Sequence, residues 1–312
     1  MFDASHFRRE KNKAMMMIRA KLLDATRHWL KSHDYVEVHG PTLIPAVGYW
    51  PSSFEVKYFD KRAYLTQGLQ PYANAFVESL GKIYTIAPTF RAEKLTTRRH
   101  LTEYWRIEVA QQSELDATIA IQEELLAHIC HRLSEDKKAL GCFNRFIEDL
   151  AELRIPFSKL TYDEAIDSLQ RDGFDISWGQ KLDWKFENHL SLGVSQPFFI
   201  TKPPLDVEKF FFKSDPQKPE LTLSADLIAP EGYGEIGSAV QRITEKEVIL
   251  EKMIEENIDP ADQQWYMSFM QNSRAPHSGF AIGLERLIQW ICKLKHIKEA
   301  TAFPRSYDSF YP

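Results

Sequence analysis

The first hydrophobic pattern in the chain has the period of an α-helix. Between residues 12 and 33, apolar side chains recur at spacings of three and four, which predicts a helix with one buried face. The stripe consists of Met15, Ile18, Leu22, Ala25 and Trp29. Alternation of polar and apolar residues then predicts a strand over residues 34–43, which reaches a proline at Pro41.

Period-two alternation continues after this strand and predicts a meander. Residues 54–58 and 63–66 form a predicted hairpin with its turn at Asp60. Residues 83–86 and 104–109 predict two further antiparallel strands, joined by a long polar loop. Because such a loop is held at both ends, it can close over a ligand.

The middle of the chain has weaker periodicity. A helix is predicted over residues 113–132 with Ser113 as its N-cap, followed by a short helix at 163–169 and a buried strand at 196–201. The three phenylalanines at 210–212 are predicted to belong to the core. No repeat or low-complexity linker interrupts the chain, so we expect a single domain over residues 1–312.

Composition narrows the class of protein. The 312 residues are 44% hydrophobic and 12% aromatic, which is enough to bury a large core. No apolar run approaches the length of about 20 residues that is needed to cross a bilayer, and the N-terminal residues have no signal pattern. We therefore expect a cytoplasmic protein without a membrane partner. Three cysteines without CxxC spacing predict neither a disulfide framework nor a zinc site.

The polar loop at residues 89–104 carries the first candidate chemistry. It contains three arginines, a histidine and two glutamates within sixteen residues. Arg91 ends a strand, where its planar guanidinium is suited to bidentate phosphate binding, and Tyr104 offers an aromatic face to a base. A run of arginines taken alone is more often a solvated hairpin tip.

Two carboxylates mark the second candidate segment. Asp226 and Glu235 would lie on neighbouring strands if residues 230–234 form a turn. A pair of carboxylates beside a polyphosphate suits Mg²⁺, which prefers oxygen ligands. Taken alone, this segment is more simply a glycine-rich turn in a sheet.

The third segment, residues 276–287, is a glycine-bearing strand that leads into an apolar helix. Arg286 falls in the first turn of that helix, where it could join the helix N-terminus in holding a phosphate. An ordinary strand-to-helix turn would have the same local pattern, but it does not account for all three segments in this order.

Together these segments resemble motifs 2 and 3 of the class II aminoacyl-tRNA synthetases, and the helix, strand and proline near the N-terminus resemble motif 1. The resemblance covers residues 6–312 and is nearest to the asparaginyl catalytic core of the aspartyl/asparaginyl subgroup. It extends to asparagine synthetases that are similar to this core. It implies an α+β fold with a mostly antiparallel sheet flanked by helices, and a homodimer formed through the motif 1 region at residues 12–43.

The resemblance also implies roles for individual residues. The implied reaction is attack of an amino-acid carboxylate on the α-phosphate of ATP in the presence of Mg²⁺, with Arg91 and Arg286 as the catalytic arginines. The residues implied to bind ATP are Arg91, Arg99, His100, Glu103, Tyr104, Glu235 and Arg286. Those implied to bind the amino acid are Gln67, Gln70, Glu93, Arg242 and His277, and the implied metal ligands are Asp226 and Glu235.

The sequence departs from the subgroup in several places. The nucleic-acid-binding OB domain that precedes the core in such synthetases has no counterpart before residue 6, so we expect no anticodon-binding domain. Residues 48–51 replace an acidic-Gly-Gly segment that contacts the substrate ammonium, and residues 238–240 read Ser-Ala-Val where Gly-Gly-Ser is usual. Ala73 stands where the aspartyl enzymes have a lysine.

Three functions are compatible with these patterns. The one favoured by the departures is an AMP-forming ligase that activates an aspartate- or asparagine-like acid and transfers it to a small nucleophile such as ammonia. The second is a truncated asparaginyl-type enzyme that charges tRNA, a partner that the net charge of −5 does not favour. The third is a non-catalytic paralogue that binds a nucleotide, which would not need the complete set of arginines and carboxylates.

Overall fold

A computed structural model describes residues 8–45, 52–208, 211–255, 260, 264–269 and 275–311. Its strands are β1 Val36–Glu37, β2 Leu43–Ile44, β3 Glu55–Tyr58, β4 Lys61–Leu65, β5 Lys82–Phe90, β6 Glu103–Gln111, β7 Ser158–Thr161, β8 Phe198–Thr201, β9 Ser224–Ala229, β10 Gly234–Arg242 and β11 His277–Gly283. Its helices are α1 Glu10–Ser32, α2 Gln70–Leu80, α3 Leu115–Ser134, α4 Lys137–Gly141, α5 Glu148–Ala151, α6 Tyr162–Arg171, α7 Trp184–Ser191, α8 Lys246–Glu255, α9 Gln264–Phe269 and α10 Leu284–Ile291.

Within these ranges, one large sheet organises the molecule in the order β1-β5-β6-β11-β10-β9-β8-β7, and β2-β4-β3 form a small second sheet. The neighbours from β5 to β8 are antiparallel, whereas β1 pairs with β5 and β7 with β8 in parallel. Phe90, the last residue of β5, pairs with Glu103, the first residue of β6, so the polar loop connects the two strands at one end of the pair. The predicted antiparallel sheet is confirmed.

The two faces of the large sheet have different partners, because side chains alternate along each strand. One face packs on α1, α3 and α10, where Ile18, Leu22 and Leu125 are fully buried. The stripe predicted for the first helix is buried, as expected. Ala239 on β10 points into this core, whereas Ser238 and Val240 beside it point to the opposite face. That opposite face carries the candidate site.

Several local predictions needed correction. Ser113 does not cap α3, whose N-cap residue is Glu114. The Ser113 hydroxyl instead bonds to Thr118 and Ser278, because the helix begins two residues later than expected. Residues 34–43 form only the two-residue strand β1 and the start of β2, since the rest of the segment has no strand partner. Residues 48–51 and Phe210 lie outside the described residues.

The α-helices α2, α4, α5, α7, α8 and α9 were not predicted. Four of them, α4, α5, α7 and α9, have four to eight residues, which are too few for a clear hydrophobic period. Helix α2 falls within a segment that was predicted to be part of the strand meander, and no element was predicted at α8. Among the helices in the described ranges, none combines the length and apolar character needed to cross a membrane.

Candidate active site

A cavity of about 230 Å³ opens on the face of the large sheet opposite α1 and α3. Lys181, Leu182 and Glu187 line it near α7, and Pro203, Val207 and Phe211 line it after β8. Its floor consists of alternate side chains and glycines of three adjacent strands: Tyr104, Arg106 and Glu108 on β6, Ser238, Val240 and Arg242 on β10, and Gly279, Ala281 and Gly283 on β11. The three motifs identified in the sequence therefore meet in one cavity.

At one end of the cavity, Arg286 and Glu235 form an ion pair. Arg286 lies in the first turn of α10, as predicted, and its Nη1 is 2.8 Å from Glu235 Oε2. Burial disfavours the ionised carboxylate, but the guanidiniums of Arg286 and Arg99 outweigh it and lower the pKa of Glu235 to about 2. Glu235 is therefore an anion at neutral pH.

Asp226 lies on the neighbouring strand, opposite Ser238 in the β9–β10 register. Burial, followed by the nearby charge of Glu235, raises the pKa of Asp226 well above its usual range. A carboxylate held in this way beside another is a suitable ligand for a divalent cation, which would remove the repulsion between them. No group of three His, Cys, Asp or Glu side chains that could hold a metal ion occurs in the described ranges.

Arg91, Tyr104 and His100 line the same end. The Arg91 guanidinium lies 5.9 Å from the centre of the Tyr104 ring and 3.6 Å from Glu93 Oε1, and its buried Nε has no hydrogen-bond partner. Burial and the charge of Arg286 lower the pKa of His100 to about 4, so the imidazole is neutral at pH 7. The Arg91 side chain thus keeps donor capacity for a ligand.

Arg99 also lines the cavity, but its two outer nitrogens are directed at protein oxygens. Nη1 donates to Glu187 Oε2 at 2.7 Å, and Nη2 donates to the main-chain oxygen of Glu235. Only 6% of the side chain is exposed. The structure therefore places Arg99 as an internal ion pair rather than as a free phosphate ligand, a correction to its predicted role.

The opposite end of the cavity contains Arg242 with two neutral partners. Its Nη1 is 3.1 Å from His277 Nε2, and its Nη2 donates to Gln70 Oε1. Burial lowers the pKa of Arg242 to about 10, which keeps it charged, and burial also lowers the pKa of His277 well below its usual range. The buried Nε of Arg242 has no hydrogen-bond partner. A desolvated cation in this setting favours a polar or anionic ligand.

Three predicted site residues do not line this cavity. The Gln67 side chain donates to Ser52 O at 2.9 Å and to Ser53 Oγ at 3.1 Å. Glu103 is exposed at the start of β6, where it pairs with Arg305, and the side chain of His277 lies behind Arg242. Strand alternation accounts for Glu103, because its neighbour Tyr104 on β6 points into the cavity. Gln67 lies in the connection between β4 and α2, and His277, the first residue of β11, contacts Arg242 instead.

Two residues of β6 were missed as site residues although their alternation was visible. Arg106 donates to Gln67 O at 2.9 Å, and Glu108 accepts from the Leu69 main-chain nitrogen at 3.0 Å. Both follow Tyr104 at intervals of two, so the alternation was the signal that could have identified them. They hold the segment before α2 against the cavity floor.

Glu187 and Glu285 were missed as well. Glu285 precedes Arg286 and is buried against α1, where it accepts from Arg19 Nη1 at 2.7 Å and from Trp105 N at 2.8 Å. Glu187 lies on α7, far from the motifs in sequence, and no local pattern marks it. Only the fold brings it to the cavity.

Comparisons with known proteins agree with this arrangement. Residues 3–307 match the family described as tRNA synthetases class II (D, K and N). The chain is similar to the asparagine–tRNA ligase of Thermococcus gammatolerans, with 39% identity over 98% of this chain and 72% of the relative. It is similar to the enzyme of Pyrococcus furiosus, with 40% identity over 98% and 71%.

Solved structures show the same likeness. Asparaginyl-tRNA synthetase from Pyrococcus horikoshii, complexed with asparaginyl-adenylate, superposes with a TM-score of 0.96 and 38% identity over 98% of this chain and 71% of that chain. The Entamoeba histolytica enzyme in complex with asparaginyl-adenylate gives 0.90 and 25% identity over 98% and 70%. The predicted fold class and motif assignment are confirmed, and this chain belongs to the class II aminoacyl-tRNA synthetases, a family of ATP-dependent ligases.

Proposed function

We propose that this protein activates asparagine with ATP, forming asparaginyl-adenylate and pyrophosphate, and transfers the asparaginyl group to tRNA. The observation that carries the proposal is the single cavity with Arg91, Arg286 and Glu235 at one end and Arg242 at the other. The relatives similar to this chain over nearly its whole length are asparagine–tRNA ligases. Their names favour tRNA as the acceptor over the small nucleophile expected from the sequence.

In this mechanism the protein acts by positioning and charge neutralisation. Arg91 and Arg286, which both line the cavity, would contact the phosphates and offset the charge that develops as the amino-acid carboxylate attacks the α-phosphate. Tyr104 would stack on the adenine, and the neutral His100 would donate to the end of the triphosphate. No protein nucleophile is needed, because the substrate carboxylate supplies the attacking oxygen.

The residues at the end of the cavity that contains Arg286 and Glu235 fit Mg²⁺. Asp226 and Glu235 would hold the ion, whose charge would neutralise the leaving pyrophosphate. Arg286, already paired with Glu235 at 2.8 Å, keeps that carboxylate ionised and aimed into the cavity. A bound cation would stabilise the charged form of Asp226, since burial otherwise favours its neutral form.

The amino-acid side chain would occupy the end that contains Arg242. Arg242 would donate to its terminal oxygen, and Glu93 would accept from its amide nitrogen, an arrangement that favours asparagine over aspartate. Ser238 and Val240 line the floor between the two ends and narrow it relative to glycine. Residues 48–51, at the place where the resemblance puts the contact with the substrate ammonium, lie outside the described residues.

The central experiment is ATP–pyrophosphate exchange with asparagine and aspartate as alternative substrates. We expect exchange to depend on asparagine and Mg²⁺, and AMP release to rise when total tRNA is added, with an asparaginyl ester at the tRNA 3′ end. Exchange with neither amino acid would refute the activation step. AMP release that is independent of tRNA but stimulated by ammonia, with free amide as product, would instead support the small-nucleophile hypothesis.

We further propose that the chain forms a homodimer through residues 12–43. The described surface there exposes apolar side chains: Met16, Met17, Val36 and Leu43 are each 41–55% exposed. The aromatic residues Trp29 and Tyr35 of this region are buried in the protomer and would not take part directly. A twofold interface is self-complementary, so the same apolar surface would be buried on both protomers. Light scattering that shows a monomer at micromolar concentration would refute the dimer.

A further inference from the structure

The short helix α7 contacts the turn between β9 and β10 at several points. Glu187 Oε2 accepts from the Glu235 main-chain nitrogen at 2.9 Å. Asn188 donates to Gly232 O, and the Gly232 nitrogen donates to Ser191 O at 3.2 Å. This turn leads directly into Glu235, so α7 holds the main chain from which the candidate metal ligand projects.

The same Glu187 oxygen accepts a second bond, from Arg99 Nη1 at 2.7 Å. Arg99 in turn donates from Nη2 to the Glu235 main-chain oxygen. Glu187 and Arg99 therefore bind the two main-chain polar groups of Glu235 between them. The side chains of this pair are 10% and 6% exposed, so solvent does not weaken the contact.

The main chain at this point is shaped to admit the pair. Gly234 has φ of 68°, which disfavours residues with a side chain. A Cβ there would lie 2.7 Å from Arg99 Nη1 and 2.8 Å from Glu187 Oε2. The glycine thus leaves the space that the two side chains fill. Three segments distant in sequence are matched to one another at Glu235.

We propose that Glu187 is a positioning residue of the nucleotide site, acting through Arg99 and the main chain of Glu235. It sets the direction of the Glu235 carboxylate, which faces Arg286 and the cavity. The inference rests on the proposed function for the identity of the ligand, because it assigns Glu235 to a magnesium–nucleotide complex. It adds α7, which contains none of the motif residues, to the elements that determine nucleotide affinity.

The experiment measures binding of a non-hydrolysable ATP analogue with Mg²⁺ by calorimetry, without amino acid or turnover. We expect Glu187→Ala to weaken binding at least tenfold and to raise the Mg²⁺ concentration needed for half-saturation. Lys185→Ala, at an exposed position of the same helix, is the matched control and should bind like the wild type. Glu187→Gln, which keeps an acceptor oxygen, should restore most of the affinity.

The double variant Glu187→Ala/Arg99→Met distinguishes the proposed positioning role from a purely structural role. Removing both charges relieves the unpaired buried arginine, so the melting temperature should recover while nucleotide binding stays weak. If Glu187→Ala does not fold, Gly234→Ala is measured instead, since its Cβ would displace both side chains. Binding within twofold of the wild type in Glu187→Ala, or in Gly234→Ala as its replacement, would overturn the proposal. If the wild type binds the nucleotide but no amino acid supports pyrophosphate exchange, only the proposed function is refuted.

Discussion

The two ends of the cavity use charge in opposite ways. At the nucleotide end, Arg286 and Arg99 each contact an acidic residue within 3 Å, and the charges form a connected network. At the other end, the hydrogen-bond partners of Arg242 among the described residues are the neutral Gln70 and His277, and the charges of Glu108 and Arg106 act on it at longer range. Paired buried charges fix the positions of each other's side chains. A buried charge with neutral partners remains available to attract a ligand of opposite charge.

This difference explains why the two ends carry different information about function. Under the proposed function, the end with Arg286 and Glu235 would bind the triphosphate with Mg²⁺ and would be compatible with many carboxylic acids. The other end presents Arg242, with its neutral hydrogen-bond partners, and the carboxylate of Glu93, so small changes there would select the substrate. The identity of the activated amino acid would therefore depend mainly on Arg242 and its neighbours.

The largest expected effect tests the nucleotide end. Arg91→Ala should reduce pyrophosphate exchange at least about 100-fold, since loss of one charged contact to the transition state costs about 3 kcal/mol. Arg98→Ala, at an exposed position in the same loop, should retain nearly full exchange. Equal activity of the two variants would show that Arg91 does not contact the reacting phosphate, and would remove the basis for comparing the ends.

A smaller effect is expected at the other end. Arg242→Met should raise the KM for asparagine about 30-fold, because a hydrogen bond to a charged group contributes about 2 kcal/mol. Affinity for the ATP analogue should be unchanged. The free energy of unfolding should change by less than about 1 kcal/mol, since release of the buried charge offsets two lost hydrogen bonds.

The stability measurement makes the contrast between the ends sharper. Glu235→Ala would leave Arg286 without its paired carboxylate and would remove a nearby negative charge from Arg99, and it should lower the melting temperature clearly. If Arg242→Met destabilises the protein as much as Glu235→Ala does, Arg242 is part of the structural network and the proposed distinction is wrong. Urea unfolding of both variants, followed by circular dichroism, gives the comparison.

The smallest predicted effect concerns pH. Burial lowers the pKa of His277 in the folded state, while the unfolded chain binds a proton near pH 6.5. Below that pH the unfolded state takes up a proton that the folded state does not, so stability falls as pH falls. Between pH 6.5 and 5.5 this contribution should be about 1 kcal/mol.

His277→Asn should abolish that part of the pH dependence. The measurement is the free energy of unfolding at pH 7.5 and pH 5.5 in both proteins. An identical loss in the variant and the wild type would mean that other groups account for it. His100, whose pKa is lowered to about 4 at the nucleotide end, is present in both proteins and therefore cancels in the comparison.

How far prediction reached from the sequence depends on the range of the interactions involved. The buried stripe of α1, the β5–β6 pair and the turn before Glu235 follow from patterns within about 20 neighbouring residues, and all three are present. The expectation of a small acceptor rested on departures from the subgroup pattern and on net charge, which sums over the whole surface and says little about one local contact. It therefore had a weaker physical basis than the motifs.

By itself, the sequence determined which residue types meet a nucleotide and in what order, because motif spacing and strand alternation place Arg91, Glu235 and Arg286 at the ends of predictable elements. Only the tertiary structure determined which charged side chains form ion pairs with one another. Glu187 reaches Arg99 from 88 positions away, and Glu285 reaches Arg19 across 266. Such pairs leave no periodic pattern, since burial and direction are set by the packing of α7 and α1 against the sheet, not by neighbouring residues in the chain.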